Sequence, residues 1–295
     1  MNTTPLFSSM HTHTTFCDGK DDIETMCRAA YEANLFAIGF SAHAPIEKQT
    51  GSSNECNLKD ERVSEYVAEV LAAKERWQGK IKVFLGYEAD YIKGIRSPLD
   101  NDITSLNLDY VIGSVHYLFP GNSGKSFIVD GSKEEFDTGL KEFFNGDAQK
   151  FMHSYYDAII EMIEAGGFDI LGHADVFKKN CQDKTYWPKE TEESRQRETA
   201  QALAKAHAKT GMIIEINTGG INRNKINDTY PSLSFLRIIK EYDIPVIITA
   251  DAHRASQING NYDFALKAII LADIKNHFLF DGRKNGKAVW IKEKV

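Results

Sequence analysis

A chain of 295 residues, 42% hydrophobic and 26% charged, has room for one sizeable core and reads as a soluble globular protein. Its formal net charge of −7 argues against a main role on long nucleic acid, which needs a concentrated basic surface. No apolar run approaches the roughly 18 residues of a membrane span, the start MNTTPLFSSM lacks a basic and apolar signal segment, and the four cysteines form no CxxC pair. A cytoplasmic protein with reduced thiols is expected.

Taken in chain order, the first predicted strand is LFSSMHTH (6–13), followed by a helix over 22–34. FAIGFSAHA (36–44) is the second strand; after it come a loop-like stretch, QTGSSNECN (49–57), and a helix over 59–77. KVFLGYEADY (82–91) and YVIGSVHYL (110–118) are the third and fourth strands, with a second loop at PGNSGKS (120–126). One long helical stretch is read over 133–167, closed by Gly166-Gly167. FDILGHADV (168–176), MIIEINTGG (212–220) and PVIITADAH (245–253) complete the strands, separated by helices over 190–211, closed by Gly211, and over 230–243, opened at Pro231. About seven βα units without a composition break predict a single α/β domain over 1–295, a closed or nearly closed parallel barrel. An open doubly wound sheet is the alternative.

Polar residues gather at the ends of these strands. His11 and His13 end the first, His43 the second, Glu88 and Asp90 the third, His116 the fourth, His173 and Asp175 the fifth, Asp251 and His253 the last. In a parallel barrel all these ends open on one face, so the side chains are expected to converge. Imidazoles and carboxylates without thiolate suit Zn²⁺, Mn²⁺ or Fe²⁺, and eight or nine such groups exceed one ion's needs, so two or three divalent ions are expected. Closely spaced ions generate hydroxide at neutral pH, which points to hydrolysis. Asp90 and Asp175 read either as partners orienting the ligands or as loop caps. His153, His207 and His277 lie in helix-like or polar surroundings and read as surface residues. Serine-hydrolase elbows, Walker loops and dinucleotide fingerprints are missing. EINTGGINR (215–223) brings Arg223 to the end of strand six, where it can grip a phosphate oxygen; Lys178 and Lys179 offer a second cationic arm, and Arg254 a third candidate.

The motifs HTHTTFCDG, GFSAHAP, GYEADY, GSVHYL, LGHAD and TADAH, in this order, make the chain resemble the PHP family, the polymerase and histidinol phosphatase superfamily, over nearly its whole length. GFSAHAP, YEADY and GSVHYL are most similar to its histidinol-phosphate phosphatase branch. The resemblance implies a distorted (β/α)7 barrel with a trinuclear centre. His11, His13, Glu88 and Asp251 would hold one metal, Glu88, His116 and His173 a second, and Asp18, His43 and His253 a third. The chain departs from the branch at Cys17-Asp18-Gly19, where a Pro-His-Gly is common, and at Phe177-Lys178-Lys179, where arginine is common. The implied activity is metal-dependent phosphomonoester hydrolysis, with L-histidinol phosphate as the small-molecule substrate. Asp18, His43, His253 and Arg223 would be catalytic, and Arg223, Lys178, Lys179, Arg254 and Tyr117 would line the substrate. Asp90, Tyr91, Tyr117 and Asp175, near the expected mouth, would meet its amine and imidazole. Two other readings stand beside this one: a phosphoesterase for nucleotides or other small esters, and a non-catalytic metal-binding barrel.

Overall fold

Seven short apolar runs, separated by amphipathic helices, leave the chain one economical way to bury both faces of its strands, which is a parallel sheet curled on itself. The computed structural model describes residues 7–50, 55–119, 125–182 and 186–295. The strands are β1 (Ser8–Ser9), β2 (Ala37–His43), β3 (Lys82–Asp90), β4 (Tyr110–Ser114), β5 (Ile170–Leu171), β6 (Ile213–Asn217) and β7 (Val246–Thr249), and they form one sheet in chain order, every pair parallel. The sheet nearly closes. Between its first and last members a single bridge joins Thr12 to Ala252, with His13 N–H donating to Ala252 O at 2.8 Å and Ala252 N–H to His11 O at 3.0 Å. The open-sheet alternative is thereby excluded.

Helices α1 (Ile23–Glu32), α2 (Val63–Arg76), α3 (Lys133–Phe144), α4 (Ala148–Ala165), α5 (Lys189–Thr210), α6 (Leu233–Glu241) and α7 (Tyr262–Leu271) surround the sheet. Their ends follow local chemistry. Asp22 caps α1 through Thr25 N–H, and Ser132 and Glu135 form a capping box on α3. The stretch read as one helix over 133–167 is two, because Asn145 and Gly146 both adopt positive φ and Asp147 caps a fresh start. Helix α6 begins at Leu233 with Ser232 in the N-cap position, so Pro231 lies just outside it. Of the two loops read from the sequence, residues 51–54 and 120–124 lie outside the described residues, and Glu47–Thr50 forms one helical turn. No helix among the described residues is long and apolar enough to cross a membrane.

The barrel interior is layered. At the strand starts Ala37, Phe84, Tyr110, Ile170, Ile213 and Ile247 fill it with apolar volume. Tyr110 lies across the lumen, donating its hydroxyl to Met10 O at 2.6 Å. Only glycine leaves it space, since a Cβ at Gly39 or Gly86 would come within 2.5 Å of its side chain. Residues after 253 add α7 and a hairpin of β8 (Asn276–Lys284) and β9 (Lys287–Lys294), for which the sequence reading named no element. Asn285 and Gly286 both take positive φ, the signature of a tight hairpin turn. This hairpin plugs the bottom of the barrel. Fully buried Phe280 packs edge-on against Phe84 at 4.9 Å between centroids, and also touches Tyr110 and Trp290.

Phe280→Ala should therefore lower unfolding free energy by about 3–5 kcal/mol in urea denaturation, whereas Lys287→Ala, on the exposed side of the hairpin, should change it by about 0.5 kcal/mol or less. Equal effects would mean that the plug adds little to the barrel.

Candidate metal centre

Alternation along the strands decides which side chains meet above the apolar layer. From Phe84 inward-facing positions step through Gly86 to Glu88 and Asp90; from Ile213 they step to Glu215 and Asn217; the register sets His43 level with Glu88. The same parity that fills the bottom with apolar groups fills the top with polar ones.

Glu88, 1% exposed, is the hub. Its Oε2 lies 3.2 Å from His11 Nε2, 3.5 Å from His13 Nε2 and 3.0 Å from His43 Nδ1. Its Oε1 lies 2.9 Å from His173 Nε2 and 3.4 Å from His116 Nε2, and accepts the Ser114 hydroxyl at 2.7 Å. Asp251 Oδ1 is 3.5 Å from His13 Nε2 and 3.8 Å from His11 Nε2. Asp18, carried back over the mouth by the loop after His13, sets Oδ2 3.1 Å from His253 Nε2 and Oδ1 3.8 Å from His43 Nε2. Nine expected residues thus converge. Their ligand atoms form overlapping sets within 4.8 Å, among them His13-Asp18-His43-His253, His11-His13-Glu88, His11-His173-Asp251 and His43-Glu88-His116.

The centre is unsatisfied by protein alone. His11 Nε2, His13 Nε2, Glu88 Oε2 and Asp18 Oδ1 are buried without a hydrogen-bond partner, and each such atom costs about 1–3 kcal/mol. Four orphaned imidazole and carboxylate atoms aimed at one another fit divalent cations. The titration of the cluster tells the same story. Burial pushes Glu88 upward, but His11, His43 and His116 hold its carboxyl well below the ordinary range. Burial opposes a charge on His43, yet Glu88 and Asp18 raise it to about 10, while His13, buried and facing His253 and His43, falls to about 3. Without a cation the carboxylates draw positive charge from protonated imidazoles, so cation uptake releases protons.

Residues beneath the hub aim it. Glu215, fully buried, takes His11 Nδ1 at 2.9 Å and the Thr249 hydroxyl at 2.7 Å on one oxygen, and His173 N–H at 2.7 Å and the Asn217 amide at 2.8 Å on the other. The sequence reading gave it no role, although a glutamate in the apolar run MIIEI needs a partner. Asp90 holds His116 Nδ1 at 2.8 Å and so turns Nε2 toward Glu88.

The cationic candidates divide. Arg223 donates Nη2 to Asp251 Oδ2 at 2.8 Å and Nη1 to Asp251 O at 2.9 Å, with His253 Nδ1 at 3.1 Å, so it braces Asp251 and His253 at the edge of the centre. Lys178 is held by Asp175 at 3.2 Å, Glu192 at 3.0 Å and the Ser232 hydroxyl at 2.8 Å. Lys179 instead donates to the Asp130 carbonyl. Arg254 is exposed and lines a shallow groove with Lys20, Arg223 and His253. Among the residues expected at the mouth, Tyr91 turns to Glu161 and Asp175 is buried against Ser232 N–H; Tyr117 lines a cavity of about 730 Å³ that opens beside Asp18, His43 and His116. His277, expected at the surface, is buried at 2% exposure and lowered by burial to about 4, because it lies on the first strand of the hairpin and stacks on Phe7. His207 is half-buried on α5, with Nδ1 2.8 Å from Met212 O.

Residues 9–219 match the PHP domain family model. A Deinococcus radiodurans protein named "Probable histidinol-phosphatase" is 28% identical over 88% of this chain and 91% of its own length. A solved structure of the hisK product of Listeria monocytogenes superposes with a TM-score of 0.75 at 23% identity, covering 87% of this chain and 99% of the other. The histidinol phosphate phosphatase of Lactococcus lactis, solved with zinc, L-histidinol and phosphate, gives 0.63 at 19% identity, over 95% of this chain and 99% of the other.

Glu215→Gln should weaken metal binding about 10- to 100-fold in equilibrium dialysis with elemental analysis, because His11 loses the anion that orients it. Unchanged affinity would mean that the other neighbours suffice to aim His11.

Proposed function

The chain belongs to the PHP domain family, and on that premise we propose that it is a divalent-metal-dependent phosphomonoesterase acting on L-histidinol phosphate. The observation that carries the reading is the Glu88 hub, with five histidines around one buried carboxylate and orphaned ligand atoms beside a cavity large enough for a small ester. His11, His13, Asp18, His43, Glu88, His116, His173, Asp251 and His253 would hold two or three ions, with Zn²⁺, Mn²⁺ and Fe²⁺ all suited to the donors. When bound, these ions supply Lewis acidity and an activated water for attack on phosphorus. We read residues 1–295 as one such barrel, working in the cytoplasm, a setting consistent with four free cysteines.

The protein's own side chains do the rest. Arg223, fixed by Asp251, presents its remaining N–H groups to phosphate oxygens, and Lys179, held at the Asp130 carbonyl with Arg223 among its electrostatic neighbours, would be the second cation. Asp18, His43 and His253 close the third ligand set next to the cavity. Glu55, Asp130 and Glu135 make the cavity acidic, with Glu142 paired to Lys125 at 2.8 Å, while Tyr117, Phe119 and Phe143 give it flat apolar faces. That combination suits a substrate carrying an ammonium and an imidazole and disfavours one carrying further phosphates. The relatives named histidinol-phosphatase agree with this choice.

Purified protein reconstituted with each metal should hydrolyse histidinol phosphate with kcat/KM at least tenfold above sugar phosphates and nucleoside monophosphates, and lose activity to a chelator. A nucleotide or sugar phosphate leading the panel would replace the substrate but leave the metal-dependent chemistry. His116→Ala and His253→Ala should each lower kcat by several orders of magnitude, with His207→Ala near wild type; equal losses at all three would place the chemistry elsewhere.

A further inference from the structure

Beside the acidic cavity lies a recess of opposite character. A groove of about 650 Å³ is lined by Lys20, Arg223, Lys225 and Arg254 together with His253, and no carboxylate among the described residues lines it. In a chain of net charge −7, four cations meeting without an acid depart from the average surface. Arg223 is turned to Asp251, but the side chains of Lys20, Lys225 and Arg254, all exposed, have no hydrogen-bond or ion-pair partner among the described residues. The carboxylates nearby in sequence are engaged elsewhere: Asp18 Oδ2 faces His253 Nε2 at 3.1 Å, and Asp21 Oδ2 accepts Ala255 N–H at 2.7 Å. Like charges held together without a counterion raise one another's energy, and an anion seated among them removes that cost. The floor is polar and closely fitted. Asn261 donates its amide to Asn222 Oδ1 at 2.7 Å, Asn222 donates in turn to Ala250 O at 3.0 Å, and a Cβ at Gly260 would come within 2.4 Å of Asn222 Oδ1. Gln257 accepts His253 N–H at 3.0 Å through Oε1, which leaves its NH2 group as a further donor.

Cavity and groove adjoin without sharing a residue. Asp18 lines the first and His253 the second, and they meet at the contact between these two members of one metal-ligand set. The cavity is walled chiefly by the loops that follow β2 and β4, the groove by those that follow β1, β6 and β7, so the two open on opposite arcs of the barrel mouth. A histidinol ester hydrolysed between them yields products of opposite charge, a cationic alcohol and a phosphate anion. The acidic cavity attracts the first and repels the second, and the groove does the reverse. We propose that the groove is a second phosphate site, outside the metal centre, which takes inorganic phosphate from Arg223 and through which it leaves, an inference that rests on the phosphatase reading. Lys20, Lys225 and Arg254 hold the anion there. The two products then depart by separate openings, and neither waits for the other.

Radiolabelled phosphate in equilibrium dialysis against zinc-loaded holoenzyme counts the sites, and phosphate inhibition of histidinol phosphate hydrolysis reads their effect. Wild type should bind two phosphates per chain and show mixed inhibition, with a KM component from the metal centre and a kcat component from the occupied exit. The double variant Lys20→Gln/Lys225→Gln should keep its metal content and the tighter phosphate, weaken the second at least tenfold, and show competitive inhibition alone. One phosphate per chain in wild type, or a second phosphate indifferent to the double variant, overturns the inference. So does a bisphosphorylated ester turned over tenfold faster than histidinol phosphate by wild type but not by the variant, because the groove would then serve a phosphate carried by the substrate. Holoenzyme that binds two phosphates per chain yet is inactive on every phosphomonoester overturns the phosphatase reading, and the role of exit falls with it.

Discussion

A carboxylate with 1% exposure in the middle of a barrel sets the terms for everything around it. Glu88 cannot remain ionised there unless positive charge surrounds it, and it cannot be neutral while five imidazoles point at its two oxygens. The result is a centre whose charge must be completed by protons or by metal ions. The ends of β1, β2, β4 and β5 bring the imidazoles, and two of these have their own support below. Glu215 beneath His11 and Asp90 beneath His116 extend the ionic layer one step deeper, until Tyr110 and the isoleucines of the strand starts close it off from the bottom.

Much of this arrangement is legible in the sequence because two regularities reinforce each other. Parallel strands put their C-terminal ends on one face, and the HTH, YEAD, SVH, GHAD and DAH endings occur only there, while AHA recurs once, around His207 in α5. Glu215 carries a weaker signal because it stands in the middle of a strand, although the two-residue period from Ile213 places it inward, beneath the histidines it orients. The helix break at Asn145-Gly146 and the hairpin turn at Asn285-Gly286 carry ordinary local signals that the barrel pattern overshadowed. The divergence of Lys178 and Lys179 has no such signal. It depends on Asp175, Glu192 and Asp130, which reach the turn from three separate segments.

On the proposed reading Arg223 is at once a phosphate-gripping residue and one that braces the ligands Asp251 and His253. Its two terminal nitrogens already bracket Asp251, whose backbone sits at a φ of 48°, a conformation that an aspartate tolerates at some cost. The guanidinium is thus preorganised by the centre it serves. On the proposed reading substrate recognition and ligand placement cannot be tuned independently at this corner, and on the cavity wall Asp130 is likewise tied electrostatically to His116.

The bridge between Thr12 and Ala252 gives the centre a place in the life of the chain as well as in space. The segment bearing His11 and His13 is synthesised about 240 residues before its partner bearing Asp251 and His253. Until that last strand arrives the barrel has an unpaired edge, and the ligand sets that draw on Asp251 and His253 are incomplete. Metal capture by the complete set therefore follows ring closure: a nascent chain exposes isolated histidines, and only this pairing, with the longest loop of any in the sheet, brings the last ligands to the others.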